Sequence, residues 1–227
     1  MTTAPEQALA VQTRLAQLLA RQGRLDEARQ LIRAVPERNA EDARLKLLAE
    51  AQLLRDNRQP QQAYDLLSGA LQQTPDEETL LYDTAIAAER VDQFDAMERL
   101  LRRLIELKPE AAQAYNALGY SLADRNLRLP EARALIDKAV QLAPDDAYIQ
   151  DSLGWVQFRQ GNLRQARKTL EAAFKKRPDA EIAAHLGEVL WSQGEREGAL
   201  RVWRDGQRLD ADNETLKKTL LRFRVRL

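Results

Sequence analysis

The stretch Asp145–Pro178, DDAYIQDSLGWVQFRQGNLRQARKTLEAAFKKRP, decides the fold. Gly161-Asn162 divides it into two segments of helical apolar period, each long enough for a helix. In the first, Leu153-Gly154 sets a large residue beside a small one near the centre. In the second, Ala166, Leu170 and Ala173 recur along one helical face. Glycine inside a helix costs about 1 kcal/mol relative to alanine, so Gly154 predicts a close crossing by the second helix. Pro178 cannot continue that second helix but suits the first turn of another. The stretch is one helix-turn-helix unit that hands over to the next.

Working outward, the small residue of the first helix recurs as Ala16, Ala51, Ala85, Gly119, Gly154 and Gly187. A second column in the second helix runs Ala28, Ala63, Met97, Ala132, Ala166 and Ala199. Both columns step by 33 to 35 residues, and Pro75, Pro109, Pro144 and Pro178 keep the same register. Alanine abundance alone would not hold two columns in step. Helix pairs are expected near 5–34, 40–73, 77–107, 110–142, 145–176 and 179–209. A further helix near 212–223 is expected to cover the open apolar face of the last pair. A large residue beside a small one, then small and large residues, then proline, at this period, resembles the tetratricopeptide repeat (TPR). The fold class is therefore read as an all-α TPR solenoid, a single array over 1–227 with about six repeats and a C-terminal capping helix. Glu50 and Thr84 stand where a large apolar residue is expected, Met97 replaces a small one, and Pro36 ends the first repeat early.

Local chemistry agrees with these boundaries. Asp76-Glu77-Glu78, Asp145-Asp146 and Asp179 follow prolines and place acids at the positive end of the next helix. Gly23, Gly161 and Gly194 fall at turns between paired helices, where glycine relieves backbone strain. The fourth repeat carries one extra residue in its turn, DRNLRLPEA, with Pro130 starting the second helix. The last residues, Arg222 to Leu227, alternate basic and apolar, which fits either a frayed helix end or a partner-binding arm.

Composition narrows the function. Lys plus Arg and Asp plus Glu number 35 each, a balance unlike the basic excess of nucleic-acid binders. There is no cysteine, which excludes thiol catalysis, thiolate metal sites and disulfides. No apolar run approaches the roughly 20 residues of a membrane-spanning helix. The start, MTTAPEQALA, lacks the basic region and apolar core of a signal peptide. His185 is the one histidine, and no phosphate-cradling glycine loop, nucleophile elbow or HExxH helix is present. The reading is therefore a non-enzyme, with no catalytic, cofactor or metal residues and no cofactor.

One surface remains. In the fifth repeat Ile149, Leu153 and Val156 form the core face of the first helix, while Tyr148, Asp151, Trp155 and Phe158 follow the helical step on another face. A helix apolar on two faces is either buried twice or offers one face to a ligand. The first helices of such repeats line the concave side, and neighbouring repeats add Tyr82, Asn116, Tyr120, His185, Glu188 and Trp191, with Asp151, Arg159 and Glu188 expected to orient a bound chain through polar contacts. Aromatic and amide groups there suit a bound polypeptide, with Trp155 as its anchor. The other reading packs Tyr120 and Trp155 between adjacent helices; Trp203 falls on a second-helix core position and is read as structural.

Residues 116–203 add a closer resemblance through LGYSLAD with its long turn, DSLGW and HLGEVLW. They resemble the C-terminal repeats of TPR-containing outer-membrane lipoproteins of Gram-negative bacteria. Some members of that group are adaptors that bring substrates to a periplasmic carboxyl-terminal processing protease. The resemblance implies a periplasmic scaffold tethered to the outer membrane, whose signal and lipidated cysteine are missing from this chain. Its implied partners are the protease and its substrates. A structural role in envelope or pilus assembly, or a cytoplasmic co-chaperone, stays open. The co-chaperone would need a basic and amide clamp for a terminal carboxylate, which Tyr82, Asn116, Tyr120, Asp151 and Trp155 do not supply.

Overall fold

Helix limits follow from the caps and turns. The computed structural model describes residues 5–227, with side chains from residue 8 onward; the first four residues of MTTAPEQALA lie outside it. Among the described residues all thirteen elements are α-helices. They alternate as first and second helices of successive pairs. The pairs are α1 (Pro5–Arg21) with α2 (Leu25–Arg33), α3 (Ala40–Asp56) with α4 (Pro60–Gln73), and α5 (Glu78–Glu89) with α6 (Phe94–Leu107). Three more follow: α7 (Ala112–Asp124) with α8 (Leu129–Leu142), α9 (Ala147–Arg159) with α10 (Leu163–Lys176), and α11 (Ala180–Ser192) with α12 (Arg196–Leu209). The last helix, α13 (Glu214–Phe223), packs on α11 and α12. The chain divides into two compact units, the first ending at Lys108 and the second starting at Pro109.

The starts of α5, α9 and α11 are capped by acids. Asp146 accepts from the backbone N–H groups of Tyr148 at 2.8 Å and Ile149 at 3.3 Å. Asp179 does the same for Glu181 and Ile182, at 2.8 and 3.4 Å, and Glu77 caps Leu80 at 2.5 Å. Each satisfies donors that the first helical turn leaves open. The turn inside every pair passes through the left-handed region, at Gly23, Arg58, Asp92, Asn126, Gly161 and Gly194. Each of these sits seven residues after the small residue of its first helix.

The small residues mark close crossings. A Cβ on Gly154 would lie 2.5 Å from Leu170 Cγ, and one on Gly119 would lie 2.7 Å from Ile136 Cγ1. At Gly187 it would collide with the indole of Trp203, which is fully buried and donates to the Ala184 carbonyl at 3.2 Å.

In the first unit, the polar residue at an apolar position has a partner. Glu50 is buried and accepts from Arg29 Nε at 2.8 Å and from Arg33 Nε and Nη2 at 2.8 and 2.6 Å. Two guanidinium groups on α2 thus replace the apolar contact between the first two pairs. Thr84 is buried with its hydroxyl unpartnered, filling its place as an apolar residue would. In the second unit, Trp203, Leu216 and Leu190 form a core against which Trp191, Phe223 and Val225 pack. The C-terminal stretch is neither frayed nor a free arm as far as Val225. Arg224 is left-handed, its N–H reaches Leu221 O at 3.1 Å, and Val225 N–H reaches Leu220 O at 2.9 Å. That paired closure ends α13 and turns Val225 onto the core.

Candidate functional site

In the second unit, positions one after and three before the small residue share a face of each first helix. Tyr120, Trp155 and Glu188 occupy the first kind of position, and Asn116 and Asp151 the second. On this face lies a cavity of about 200 Å³. It is lined by Tyr120 and Asp124 from α7, Trp155 from α9, His185 from α11, and Thr215, Lys218, Thr219 and Arg222 from α13.

Its floor is a chain of polar groups. His185 Nδ1 donates to Asp151 Oδ2 at 2.8 Å, and His185 Nε2 donates to the Tyr120 hydroxyl at 3.3 Å. The Tyr120 hydroxyl donates to Glu181 Oε1 at 3.3 Å, and Thr215 reaches the same oxygen at 3.4 Å. Trp155 stacks on the imidazole with centroids 4.3 Å apart and donates its indole N–H to Asp124 Oδ1 at 3.3 Å. Arg222 of α13 pairs with the buried Glu188. His185 is 1 % exposed and Asp151 4 % exposed. Burial would lower the imidazole's proton affinity, but Asp151, its hydrogen bond, Glu181 and Asp124 outweigh it and lift the pKa to about 9. His185 is thus an imidazolium at neutral pH, and both ring nitrogens are donors, as their partners require. Burial pushes the carboxyls of Glu181 and Glu188 upward.

The structure brings together Tyr120, Asp151, Trp155, His185 and Glu188, with Arg159 over the Trp155 ring at 5.6 Å. It corrects their expected exposure. Trp155 is 2 % exposed and forms floor rather than a projecting anchor, because α7, α9 and α11 close over its ring. Phe158 packs against Trp155 and the core, and Trp191 forms a three-ring cluster with Trp203 and Phe223, so that Phe158 and Trp191 are packing residues here. Tyr148 is exposed at the start of α9, donating to Asp179 and lying under Arg177, away from the cavity lining. Asn116 is half-buried, with its side-chain oxygen unpartnered. Tyr82 belongs to the first unit and lines a separate cleft there.

Sequence reading missed Glu181 of the floor and Asp124, Thr215, Lys218 and Arg222 of the lining. The signal was present, since Thr215 and Arg222 lie one further repeat step of 34 residues beyond their partners Glu181 and Glu188. Treating α13 as the first helix of a seventh unit, rather than as a cap alone, would have found them. Among the described residues no cluster of His, Cys, Asp or Glu could hold a metal ion, and no helix is long and apolar enough to cross a membrane.

Paired helices at this step, with a polar-floored cavity on the first-helix face, define an all-α repeat protein of the interaction-scaffold class. A tetratricopeptide-repeat profile matches residues 82–147 and 152–214 and another matches 2–52, so the chain belongs to the tetratricopeptide-repeat family. TPR repeat-containing protein PA4667 of Pseudomonas aeruginosa is 42% identical over 180 residues, covering 79% of this chain and 30% of its own length. The PsbB mRNA maturation factor Mbb1 of Chlamydomonas reinhardtii is 37% identical over 86 residues, 37% of this chain and 13% of that protein. The chain therefore spans less than a third of the curated relatives it matches. Among solved structures, the thermophilic TPR protein TTC0263 of Thermus thermophilus superposes with TM-score 0.69 at 20% identity, over 78% of this chain and 98% of that one. MamA of Desulfovibrio magneticus RS-1 does so at 0.56 and 17%, over 74% and 95%. These likenesses establish the solenoid fold. It is a fold suited to protein and peptide partners.

Proposed function

We propose that the chain is a non-catalytic scaffold that holds a polypeptide on the first-helix face of its second unit, as a periplasmic adaptor for a processing protease. The observation that carries this reading is where the three resemblance motifs fall. LGYSLAD supplies Tyr120 and Asp124, DSLGW supplies Asp151 and Trp155, and HLGEVLW supplies His185 and Glu188. The residues behind the likeness to lipoprotein adaptors are thus the residues that build the cavity and its floor. YrrB, described as a TPR protein with an unusual peptide-binding site, shares the fold with TM-score 0.50 at 17% identity. The buried floor fixes the geometry, and the exposed rim residues Asp124 and Lys218 meet the partner.

The test uses the immobilised chain with envelope extract, and captured proteins are identified by mass spectrometry. Wild type should retain a carboxyl-terminal processing protease or its substrates. The rim variants Asp124→Lys and Lys218→Glu should retain about tenfold less, on the scale of interface hot spots. Capture that is indifferent to both variants, or that brings down no polypeptide, would overturn the proposal.

A further inference from the structure

The first unit holds a cleft that the repeat itself does not fill. It measures about 440 Å³ and opens between α3 and α4, where α4 runs into the start of α5. The position seven residues past the small residue of each second helix explains it. Val35, Leu104, Ala139, Ala173 and Gly206 hold that position in the other pairs, and all five are buried. Ala70 holds it in the second pair and is left half-buried in the cleft wall. In the fifth pair the buried Ala173 clusters with Ala147, seven residues before the small residue of its first helix. Ala112 and Ala180 stand at the same place in the fourth and sixth pairs, but the second pair has Arg44. An arginine stem does not fit where an alanine closes the pair. Accordingly, α3 and α4 pack less closely than the two helices of any other pair.

The walls are apolar, from Ala40, Ala43 and Leu47 on α3, Ala70 on α4 and Leu80 on α5. Three charged groups complete the lining: Glu41, Glu77 and Arg44. Arg44 donates to Glu77 Oε1 at 2.9 Å and pairs through its other terminal nitrogen with Glu41 Oε2. Glu77 Oε2 accepts from the Leu80 N–H at 2.5 Å, so both of its oxygens are engaged. Glu41 keeps one oxygen for another donor. Two carboxylates against one guanidinium leave the lining with a net negative charge, which disfavours an anion and favours a cation. An apolar cavity of about 150 Å³ takes up benzene, so this cleft has room for a larger body. We infer that it binds a small amphipathic cation, an aromatic or alkyl body carrying an ammonium group at one end. The body lies on Leu47, Ala70 and Leu80, and the ammonium donates to Glu41. Apolar burial supplies the affinity and the carboxylate sets the sign of charge. The inference uses no residue of the cavity in the second unit and does not depend on a bound polypeptide.

The test is nuclear magnetic resonance titration of the full methyl-labelled chain with 2-naphthylmethylammonium. Its neutral and anionic counterparts are 2-naphthylmethanol and 2-naphthoate. The cation should shift the methyl signals of Ala43, Leu47, Ala70 and Leu80, and bind about fivefold or more tighter than the anion, the scale of an exposed ion pair. Glu41→Gln should remove most of that preference while leaving the alcohol's binding unchanged. Ala70→Leu installs the residue that the third pair carries at this position as Leu104. It should fill the cleft, abolish binding of all three compounds and raise the urea midpoint. Should Ala70→Leu fail to fold, Ala43→Leu fills the cleft from the opposite wall and gives the same reading. Lys218→Glu, on the rim of the other cavity, should leave the shifts unchanged. Naphthoate binding as tight as that of the cation, no shift at these four residues, a preference that survives Glu41→Gln, or binding that survives the filled cleft would overturn the inference.

Discussion

His185 is a cation inside the protein, and its neighbours decide what that costs. Asp151 faces one ring nitrogen and Tyr120 the other, with Glu181 beyond the phenol. Its folded pKa, about 9, lies above the ordinary 6.5. Its contribution to stability is therefore complete below about pH 6.5 and is lost as pH rises through the folded value. Glu181 and Glu188 are shifted upward too, so their effect falls on the acid side, where protonation relieves their burial. Denaturation midpoints between about pH 7 and 10 should fall in the wild type and stay flatter in His185→Gln/Asp151→Asn. The single variant His185→Gln, which strands a buried carboxylate, should cost about 3–5 kcal/mol, more than the double variant. An alkaline slope shared by wild type and double variant would place its origin elsewhere. The sequence placed Asp151, Trp155 and His185 at equivalent or adjacent positions of first helices, because helical period is legible. It did not show that neighbouring helices would close over the Trp155 ring, since periodicity assigns a face and not its exposure.

At the scale of the element, the within-pair turn shows packing overriding local preference. Glycine holds the left-handed position at Gly23, Gly161 and Gly194, while Arg58, Asp92 and Asn126 hold it in the middle pairs at φ of 58, 59 and 57°. A non-glycine residue there carries a steric cost of roughly 1–2 kcal/mol, less for asparagine. Arg58→Gly and Asp92→Gly should therefore stabilise by about 0.5–1 kcal/mol, and Gly161→Ala should destabilise by about 1 kcal/mol or more. Urea unfolding of the three variants checks both signs; Arg58→Gly that destabilises would show the guanidinium contributing more than the strain costs. The glycine turns were legible because glycine announces such a conformation. The other three became visible only as members of a column, seven residues past Ala51, Ala85 and Gly119. The C-terminal alternation of basic and apolar residues was ambiguous for a related reason. A helix closure is a backbone geometry, and Phe-Arg-Val does not spell it without the core that Val225 meets.

Across the whole molecule, the repeat step is the strongest message in the sequence, because every pair must present the same surface to the next. What the step does not encode is how each unit treats its polar positions: the first seats Glu50 between two arginines, and the second builds an aromatic core beneath α13. That core gives the sharpest test of the last helix. Leu216 is 2 % exposed within the cluster containing Trp203, and Phe223 packs 5.6 Å from both Trp191 and Trp203. Removing residues 212–227 would uncover both tryptophans and take Arg222 from Glu188 and Thr215 from Glu181. Leu216→Ala alone should cost about 2–5 kcal/mol, the range for a buried leucine. The deletion should cost more. It should lower the melting temperature and red-shift the tryptophan emission, while circular dichroism keeps most of the helical signal, since the two helices of each remaining pair still pack on each other. If the shortened chain melts where the full one does, with its emission unmoved, then α13 is not what closes the second unit. Its cationic residues would then have to be explained by the cavity rim alone.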